Sequence, residues 1–188
     1  MGYRKHPIKA GYYYHIYNRG NNHQNIFIEE RNYDYFYSKI AEAFKDKIKL
    51  ICYCLMPNHY HLIVSPSSDF TLEKAMQAIA TGYARAINKA YNRSGHLFQG
   101  TYHAKLVPDN IYLLHLSRYI HLNPLAAGLV DKVEEWKYSS YLVYLGKRKD
   151  TFIQNDIIMG QFKSIKKYEE FVCSYSEESN YLKDLLTE

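Results

Sequence analysis

Several features that would place this chain in or beyond a membrane are missing from its sequence. Among its 188 residues, no apolar run approaches the roughly 18 needed to cross a bilayer as a helix. Residues 1–7 carry charges but no apolar stretch follows them, so no secretory signal is expected. We therefore expect a cytoplasmic protein with no membrane association, of a length that suits one ordinary domain with an appendage.

Cysteine and tryptophan are also scarce. The three cysteines, Cys52, Cys54 and Cys173, are too few for a disulfide framework, which agrees with a reducing compartment. Tryptophan occurs once, whereas tyrosine occurs 21 times. Tyrosine serves as a strand residue, as a stacking platform for bases and as a nucleophile, so its abundance is suggestive but selects no single residue.

The common signatures of nucleotide and ester chemistry are absent too. The sequence has no glycine-rich phosphate loop and no nucleophile elbow. Residues 1–150 are poor in carboxylates, and no Asp or Glu pair has the spacing of a two-metal nuclease. These absences leave polyanion binding and less common catalytic chemistry open.

Charge is distributed unevenly along the chain. The net charge is +5, but residues 1–150 hold 20 Lys and Arg against 12 Asp and Glu, a balance of +8. Residues 151–188 hold 4 against 7, a balance of −3. A basic body with an acidic tail favours a polyanionic partner such as nucleic acid, and a soluble basic protein is the simpler alternative.

Hydrophobic periodicity predicts the element order β-α-β-β-α-β-α. The predicted segments are a strand in 11–17, a helix over 29–47, strands at 48–56 and 59–64, a helix over 71–91, a strand segment in 96–107 and a helix over 109–122 that ends before Asn123-Pro124. We expect an α+β fold with a ferredoxin-like split βαβ antiparallel sheet and its helices on one face. This domain spans residues 1–145, and an acidic extension, 146–188, is expected to form one or two short helices.

Two histidines follow the predicted hairpin turn. His59 and His61 are two apart in a strand, so their imidazoles point to one side and offer a pair of metal ligands. Two half-exposed histidines without a metal are the alternative. A zinc site with Cys52 and Cys54 is disfavoured, because the spacing fits no common structural zinc pattern and buried core cysteines explain the pair.

The last predicted helix carries a second constellation. Tyr119 and Asn123 are four apart, so a phenol and an amide lie on one helix face near its end. This pair suits an active centre, although a tyrosine packed in the core is the alternative, and composition selects neither.

Basic residues interleave with aromatic ones, as they do in proteins that hold single-stranded nucleic acid. A solvated helix face explains Arg85 and Lys89 almost as well. The candidate DNA contacts are Arg4, Lys5, Arg19, Arg85, Lys89, Arg93, Lys105 and Arg118.

Five segments, taken together and in this order, resemble one family. They are Arg19–Asn22, Tyr53–Leu62, Gly95–Gly100, Arg118–Pro124 and Trp136–Tyr141. The chain resembles the IS200-like tyrosine transposases with a His-hydrophobe-His motif. It is most similar to their REP-associated branch, which carries Tyr-Ile-x-x-Asn-Pro. The resemblance spans roughly residues 11–145.

The resemblance implies a metal-dependent endonuclease and strand transferase that acts on single-stranded DNA beside a hairpin. By position in the motifs, His59, His61 and Asn123 would hold Mg²⁺ or Mn²⁺, and Tyr119 would attack the phosphate to give a 5′-phosphotyrosine. Relatives act as monomers or homodimers, and both remain open here.

Two positions within these motifs bear on the expected site. Thr101 stands where many relatives have a basic residue, and Tyr60 brings a second phenol near the expected metal site. Two alternative functions stay open. One is a non-catalytic or domesticated binder of single-stranded or hairpin nucleic acid, and the other is a related nicking enzyme.

Overall fold

The computed structural model describes residues 8–69 and 71–174 of the chain. Arg4 and Lys5, two of the predicted DNA contacts, lie outside the described residues. The elements are β1 Tyr14–Arg19, α1 Glu30–Phe44, β2 Ile48–Met56, β3 His59–Pro66, α2 Thr71–Ala90, β4 His103–Leu106, α3 Asn110–Ala126, α4 Tyr141–Tyr144, α5 Asp156–Met159 and α6 Ile165–Cys173.

The four strands form one antiparallel sheet in the order β2-β3-β1-β4. The hairpin β2–β3 turns at Pro57 and Asn58, where the sequence predicts it. Placing β1 between β3 and β4 makes the split βαβ arrangement, so the predicted α+β fold class is confirmed. In this register Tyr17 lies opposite His61 on one side and opposite His103 on the other.

One face of the sheet is covered by α1 and α2, which pack on each other. Phe36 of α1 lies 4.8 Å from Tyr83 of α2 and 5.0 Å from Tyr60 of β3, measured between ring centroids. Each of these three rings is almost fully buried. Burying aromatic side chains of this size contributes a large share of the hydrophobic free energy of folding.

The third helix covers the opposite face, which corrects the expectation that all helices share one face. Cys52 of β2 contacts His121 of α3, whereas its neighbour Tyr53 contacts Tyr37 of α1. The physical reason lies in β2, where every residue except Lys49 is buried. A strand apolar on both sides needs cover on both faces of its sheet.

The prediction that α3 ends before Asn123-Pro124 is wrong. The helix includes Pro124 in its last turn and reaches residue 126. Proline removes only one helical hydrogen bond there. Gly128 closes the helix with a positive φ of 66° and donates its N–H to the Leu125 carbonyl, while the Leu129 N–H donates to the Pro124 carbonyl.

The predicted strand segment 96–107 is strand only in β4. Gly100 interrupts it with a φ of 130°, a conformation that favours glycine. Before this break, Phe98 makes an isolated bridge with Gly20. The chain between α2 and β4 is therefore a loop held against the end of β1.

The segment after α4 packs on the sheet and on α3. The Gln154 N–H donates to the Leu50 carbonyl at the edge of β2. Tyr168 of α6 is buried, and its hydroxyl lies 2.9 Å from His121 Nδ1 of α3. The domain boundary near residue 145 stays a prediction. In the described part of the chain, no helix is both long and apolar enough to span a bilayer.

Candidate active site

The side chains of alternate strand residues divide between the two faces of the sheet. The face toward α3 carries five aromatic ring side chains from three strands. We call it the histidine face, defined by His15, Tyr17, His59, His61 and His103. Because His59 and His61 are two apart after a tight turn, the predicted convergence of their imidazoles is observed.

The two predicted metal ligands differ in accessibility. Their ring centroids are 5.0 Å apart, and the ring planes are nearly perpendicular. His61 is 1% exposed, whereas His59 at the hairpin turn is half-buried. His59 Nδ1 lies 2.6 Å from the Asn58 side-chain oxygen, which fixes the orientation of that ring. The pair thus combines one buried and one accessible imidazole.

Tyr119 of α3 contacts His61, the buried member of this pair. Its ring centroid is 5.7 Å from that of His61 in an edge-on arrangement, and the side chain is half-buried. Asn123, one turn further along α3, donates from Nδ2 to the Tyr119 carbonyl at 2.8 Å. The structure therefore brings Tyr119, His59 and His61 together, with the Asn123 side chain held against its own helix.

His15 is a member of this cluster that the sequence analysis did not identify. Its Nε2 lies 2.9 Å from His61 Nδ1, and the two rings are stacked with centroids 5.1 Å apart. Its side chain is buried. The available signal was a histidine inside an apolar strand, two residues from Tyr17 and so on the same face. It did not show which residue His15 would meet.

Burial keeps both contacting histidines neutral. Burial, and secondarily the charge of Lys105, lowers the pKa of His15 to about 3. Burial also lowers the pKa of His61 well below its ordinary value, and the neighbouring His15 and His59 act in the same direction. A neutral imidazole keeps a lone pair, which is the form that binds a metal.

The donor atoms of this cluster suit a divalent cation in part. His59 and His61 offer imidazole nitrogens, and Asn123 keeps its amide oxygen while Nδ2 is engaged. Among residues 8–69 and 71–174, no three His, Cys, Asp or Glu side chains are close enough to hold a metal together. Asn123, the third ligand that the resemblance implies, is an amide and so falls outside that set of residue types.

The alternative zinc site is not formed in the described part of the chain. Cys52 Sγ lies 3.3 Å from His121 Nε2, away from the His59–His61 pair. Its full burial raises the pKa of its thiol to about 12, so it stays protonated. Cys52 and Cys54 are buried core cysteines, as the simpler alternative holds.

Tyr60 does not contribute a phenol to the histidine face. Its ring points to the other side of β3 and packs 5.0 Å from Phe36 and 6.2 Å from Phe98. The strand alternation that aligns His59 with His61 also turns the residue between them away.

Of the predicted DNA contacts, two lie at the histidine face. Arg19 ends β1, and Lys105 Nζ lies 5.4 Å from the Tyr17 ring centroid. Arg85 and Lys89 are exposed on α2, which covers the opposite face.

The remaining two predicted DNA contacts within the described residues, Arg93 and Arg118, are partly or fully buried. Arg93 is half-buried in the loop after α2. Arg118 is buried, with its guanidinium 4.5 Å above the Phe171 ring centroid and 2.8 Å from His115 Nδ1. The structure thus places Arg118 between α3 and α6 rather than among the surface cations.

Comparison with known proteins adds a family to this geometry. The family model described as "Transposase IS200 like" matches residues 9–123. A Haemophilus influenzae protein assigned to the REP-associated tyrosine transposases is 26% identical over 159 residues, covering 74% of this chain and 84% of that protein. The solved structure of a REP-associated tyrosine transposase bound to a REP hairpin aligns with a TM-score of 0.65 and 17% identity, over 82% of this chain and 97% of that one. That structural likeness shows a shared fold.

Proposed function

Because this chain belongs to the IS200-like transposases, a family of tyrosine transposases, we propose that it cuts and rejoins single-stranded DNA beside a hairpin through Tyr119. The resemblance seen in the five sequence segments is thereby confirmed. The observation that carries the proposal is the contact of the Tyr119 ring with His61, on the face where His59 is accessible.

His59, His61 and Asn123 are the residues that would hold Mg²⁺ or Mn²⁺. Such an ion, when bound, supplies positive charge that polarises a non-bridging oxygen of the scissile phosphate. The hydrogen bond between His15 and His61 supports this role, because it fixes the ring of His61. If His61 Nδ1 donates to His15 Nε2, then His61 Nε2 carries the lone pair that a metal ligand needs.

Tyr119 is the proposed nucleophile. Its phenol oxygen attacks the phosphorus and loses its proton, while the bond to the 3′-oxygen breaks and that oxygen gains a proton. The products are a 5′-phosphotyrosine and a free 3′-hydroxyl. Since a free phenol has a pKa near 10, ionisation at the moment of attack requires nearby positive charge. The same bond can be attacked by another 3′-hydroxyl, which joins strands without ATP.

The surface cations supply the remaining requirement, which is to hold the backbone of the substrate. Arg19 and Lys105 lie at the histidine face, and phosphates near the cleaved bond are their proposed partners. Such contacts release counterions and make binding weaken with added salt. The solved relative bound to a REP hairpin supports a DNA hairpin as the partner. We propose a cytoplasmic location and leave the monomer and the homodimer as alternatives.

The proposal is tested by a denaturing gel that detects protein covalently joined to a labelled oligonucleotide with a hairpin and single-stranded flanks. We expect an adduct with Mn²⁺ or Mg²⁺ and none with EDTA. Tyr119→Phe should lose the adduct and keep DNA binding. Tyr60→Phe, which changes a phenol on the other face of the same sheet, is the matched control and should keep the adduct.

Two results would contradict the proposal. An adduct that persists in Tyr119→Phe would place the nucleophile elsewhere. Hairpin binding without any adduct, in the wild-type chain with metal, would favour the non-catalytic binder.

A further inference from the structure

A small cleft opens beside the histidine face, at the end of β1. It has a volume of about 260 Å³ and is lined by Tyr17, Asn18, Arg19, Gln99 and His103. This volume is below the roughly 300 to 1,000 Å³ of pockets that take drug-sized ligands. The cleft therefore suits one flat ring system rather than a large molecule.

One wall of the cleft is a pair of stacked rings. The centroids of Tyr17 and His103 are 4.9 Å apart, and their planes differ by 12°. Tyr17 is buried beneath, whereas His103 is exposed. A flat exposed ring with a second ring behind it is a platform on which a nucleobase can stack.

The other wall presents polar groups that are already held in place. The buried Asn18 accepts the Arg19 N–H at its side-chain oxygen and donates from Nδ2 to the Gly100 carbonyl at 3.2 Å. Arg19 Nε donates to Gln99 Oε1. Because that oxygen faces the guanidinium, Gln99 offers its amide N–H₂ and Arg19 its terminal N–H groups. This wall presents donors, and none of the lining residues carries a carboxylate.

The cleft adjoins the proposed catalytic cluster through a shared residue. Tyr17 lies opposite His61 in the sheet register, with ring centroids 6.0 Å apart. His61 in turn contacts Tyr119. The rings of Tyr17, His61 and Tyr119 thus connect the cleft to the proposed nucleophile, so a DNA strand attacked by Tyr119 would lie close to the cleft.

We propose that this cleft binds one unstacked nucleobase of the single strand, next to the attacked phosphate. The base stacks on His103 above Tyr17, and its acceptor atoms face Arg19 and Gln99. Donor side chains of this kind distinguish bases by their acceptor pattern. This inference rests on the proposed function for its substrate, and it adds a position at which the protein itself reads sequence.

The test measures binding in the Tyr119→Phe background, so that its outcome does not depend on cleavage. A pool of hairpin oligonucleotides with randomised single-stranded flanks is selected on this protein and sequenced. We expect one flank position to be dominated by one base. An abasic site at that position should weaken binding about 5- to 150-fold, the range typical of one stacked base.

If the base binds in the cleft, the effect of the abasic site depends on the side chains that line the cleft. His103→Ala and Gln99→Ala change exposed residues, so folding should be preserved, which thermal melting checks. In His103→Ala the abasic site should cost little further, because the stacking ring is gone. In Gln99→Ala the base preference at that position should relax, while the stacking part of the abasic penalty remains. Lys74→Ala, an exposed cation on α2 that is not among the candidate DNA contacts, is the control and should leave the full abasic penalty in place.

Three results would overturn the inference. They are a selected pool without base preference, an abasic penalty that survives in full in His103→Ala, and cleft variants that weaken binding equally at all positions. The last would show phosphate contacts only. The adduct gel with wild-type protein tests the proposed function separately, so failure of one is distinguishable from failure of the other.

Discussion

The two faces of the sheet are built from the same strands but have different roles. Toward α1 and α2, β3 presents Tyr60 and Leu62, which are both buried, and Tyr60 packs against Phe36. Toward α3, the same strand presents His59 and His61, and His61 contacts Tyr119. A shift of one residue along the strand thus separates a side chain that stabilises the fold from one available for chemistry.

This difference shows how a small fold can hold several neutral histidines close together. The apolar face supplies hydrophobic free energy, and the histidine face keeps polar groups buried against each other. His61 is as buried as Leu62, but its partner is a polar ring, His15. Buried polar groups are tolerated when they are hydrogen-bonded.

The largest effects are expected from substituting two neighbouring residues of β3, one on each face of the sheet. His61→Ala should lower adduct formation by more than about a hundredfold. The reason is that substituting even the hydrogen-bond partner of a metal ligand typically lowers metal affinity or activity about 10- to 100-fold. Leu62→Ala should destabilise the protein by about 2–5 kcal/mol, because it leaves a cavity, and should retain adduct formation at low temperature. Adduct gels and urea unfolding measure the two properties on each variant.

The proposed division of roles between the two faces is contradicted if the two variants behave alike. Leu62→Ala that is folded but inactive would show that the apolar face takes part in the chemistry. Full activity in His61→Ala would remove that residue from the site.

A smaller effect is expected from His15, which acts on the site through His61. His15→Leu should weaken Mn²⁺ binding about 10- to 100-fold, since it removes the hydrogen-bond partner that orients His61. His15→Gln, whose side-chain oxygen can accept the same proton, should recover part of the affinity. Titration of Mn²⁺ followed by electron paramagnetic resonance measures this without DNA. Equal affinity in all three proteins would show that His15 only fills space.

The smallest effect, counted per pH unit, is a loss of stability in acid that originates on the α3 side of the sheet. His121, on the α3 side of the sheet, has a pKa of about 3 because burial, and secondarily Arg148, disfavours its charged form. The unfolded state binds the proton near pH 6.5, so stability from this group is complete above that pH and is lost as the pH falls toward about 3. The expected slope is about 1.4 kcal/mol per pH unit for this histidine.

Urea unfolding across that window measures the slope. His121→Gln should be less stable at neutral pH but should lose stability less steeply in acid. Leu62→Ala should be less stable at every pH with an unchanged slope. If both variants kept the wild-type slope, His121 would not be the source of the acid sensitivity.

Much of the local structure follows from the sequence, because it depends on near neighbours. The turn at Pro57-Asn58 and the alternation of β3 place His59 and His61 on one side. Helical spacing places Asn123 one turn after Tyr119, and the observed hydrogen bond joins those two residues. Short-range periodicity is sufficient for each of these features.

The remaining features depend on pairings between distant segments. The contact of His15 with His61 spans 46 residues and requires the register of β1 with β3. The burial of Arg118 requires α6, which packs on α3 from far along the chain. The face on which α3 packs is set by the two-sided burial of β2. A single sequence without its tertiary contacts does not specify such pairings.

The central claim is that the phenol of Tyr119 becomes joined to DNA on the histidine face. The most direct measurement is proteolysis of the purified covalent adduct, followed by mass spectrometry of the peptide that bears the nucleotide. We expect the 5′-phosphate on the peptide that contains Tyr119, attached to its phenol oxygen. A phosphate on any other residue, Tyr60 included, would contradict the account.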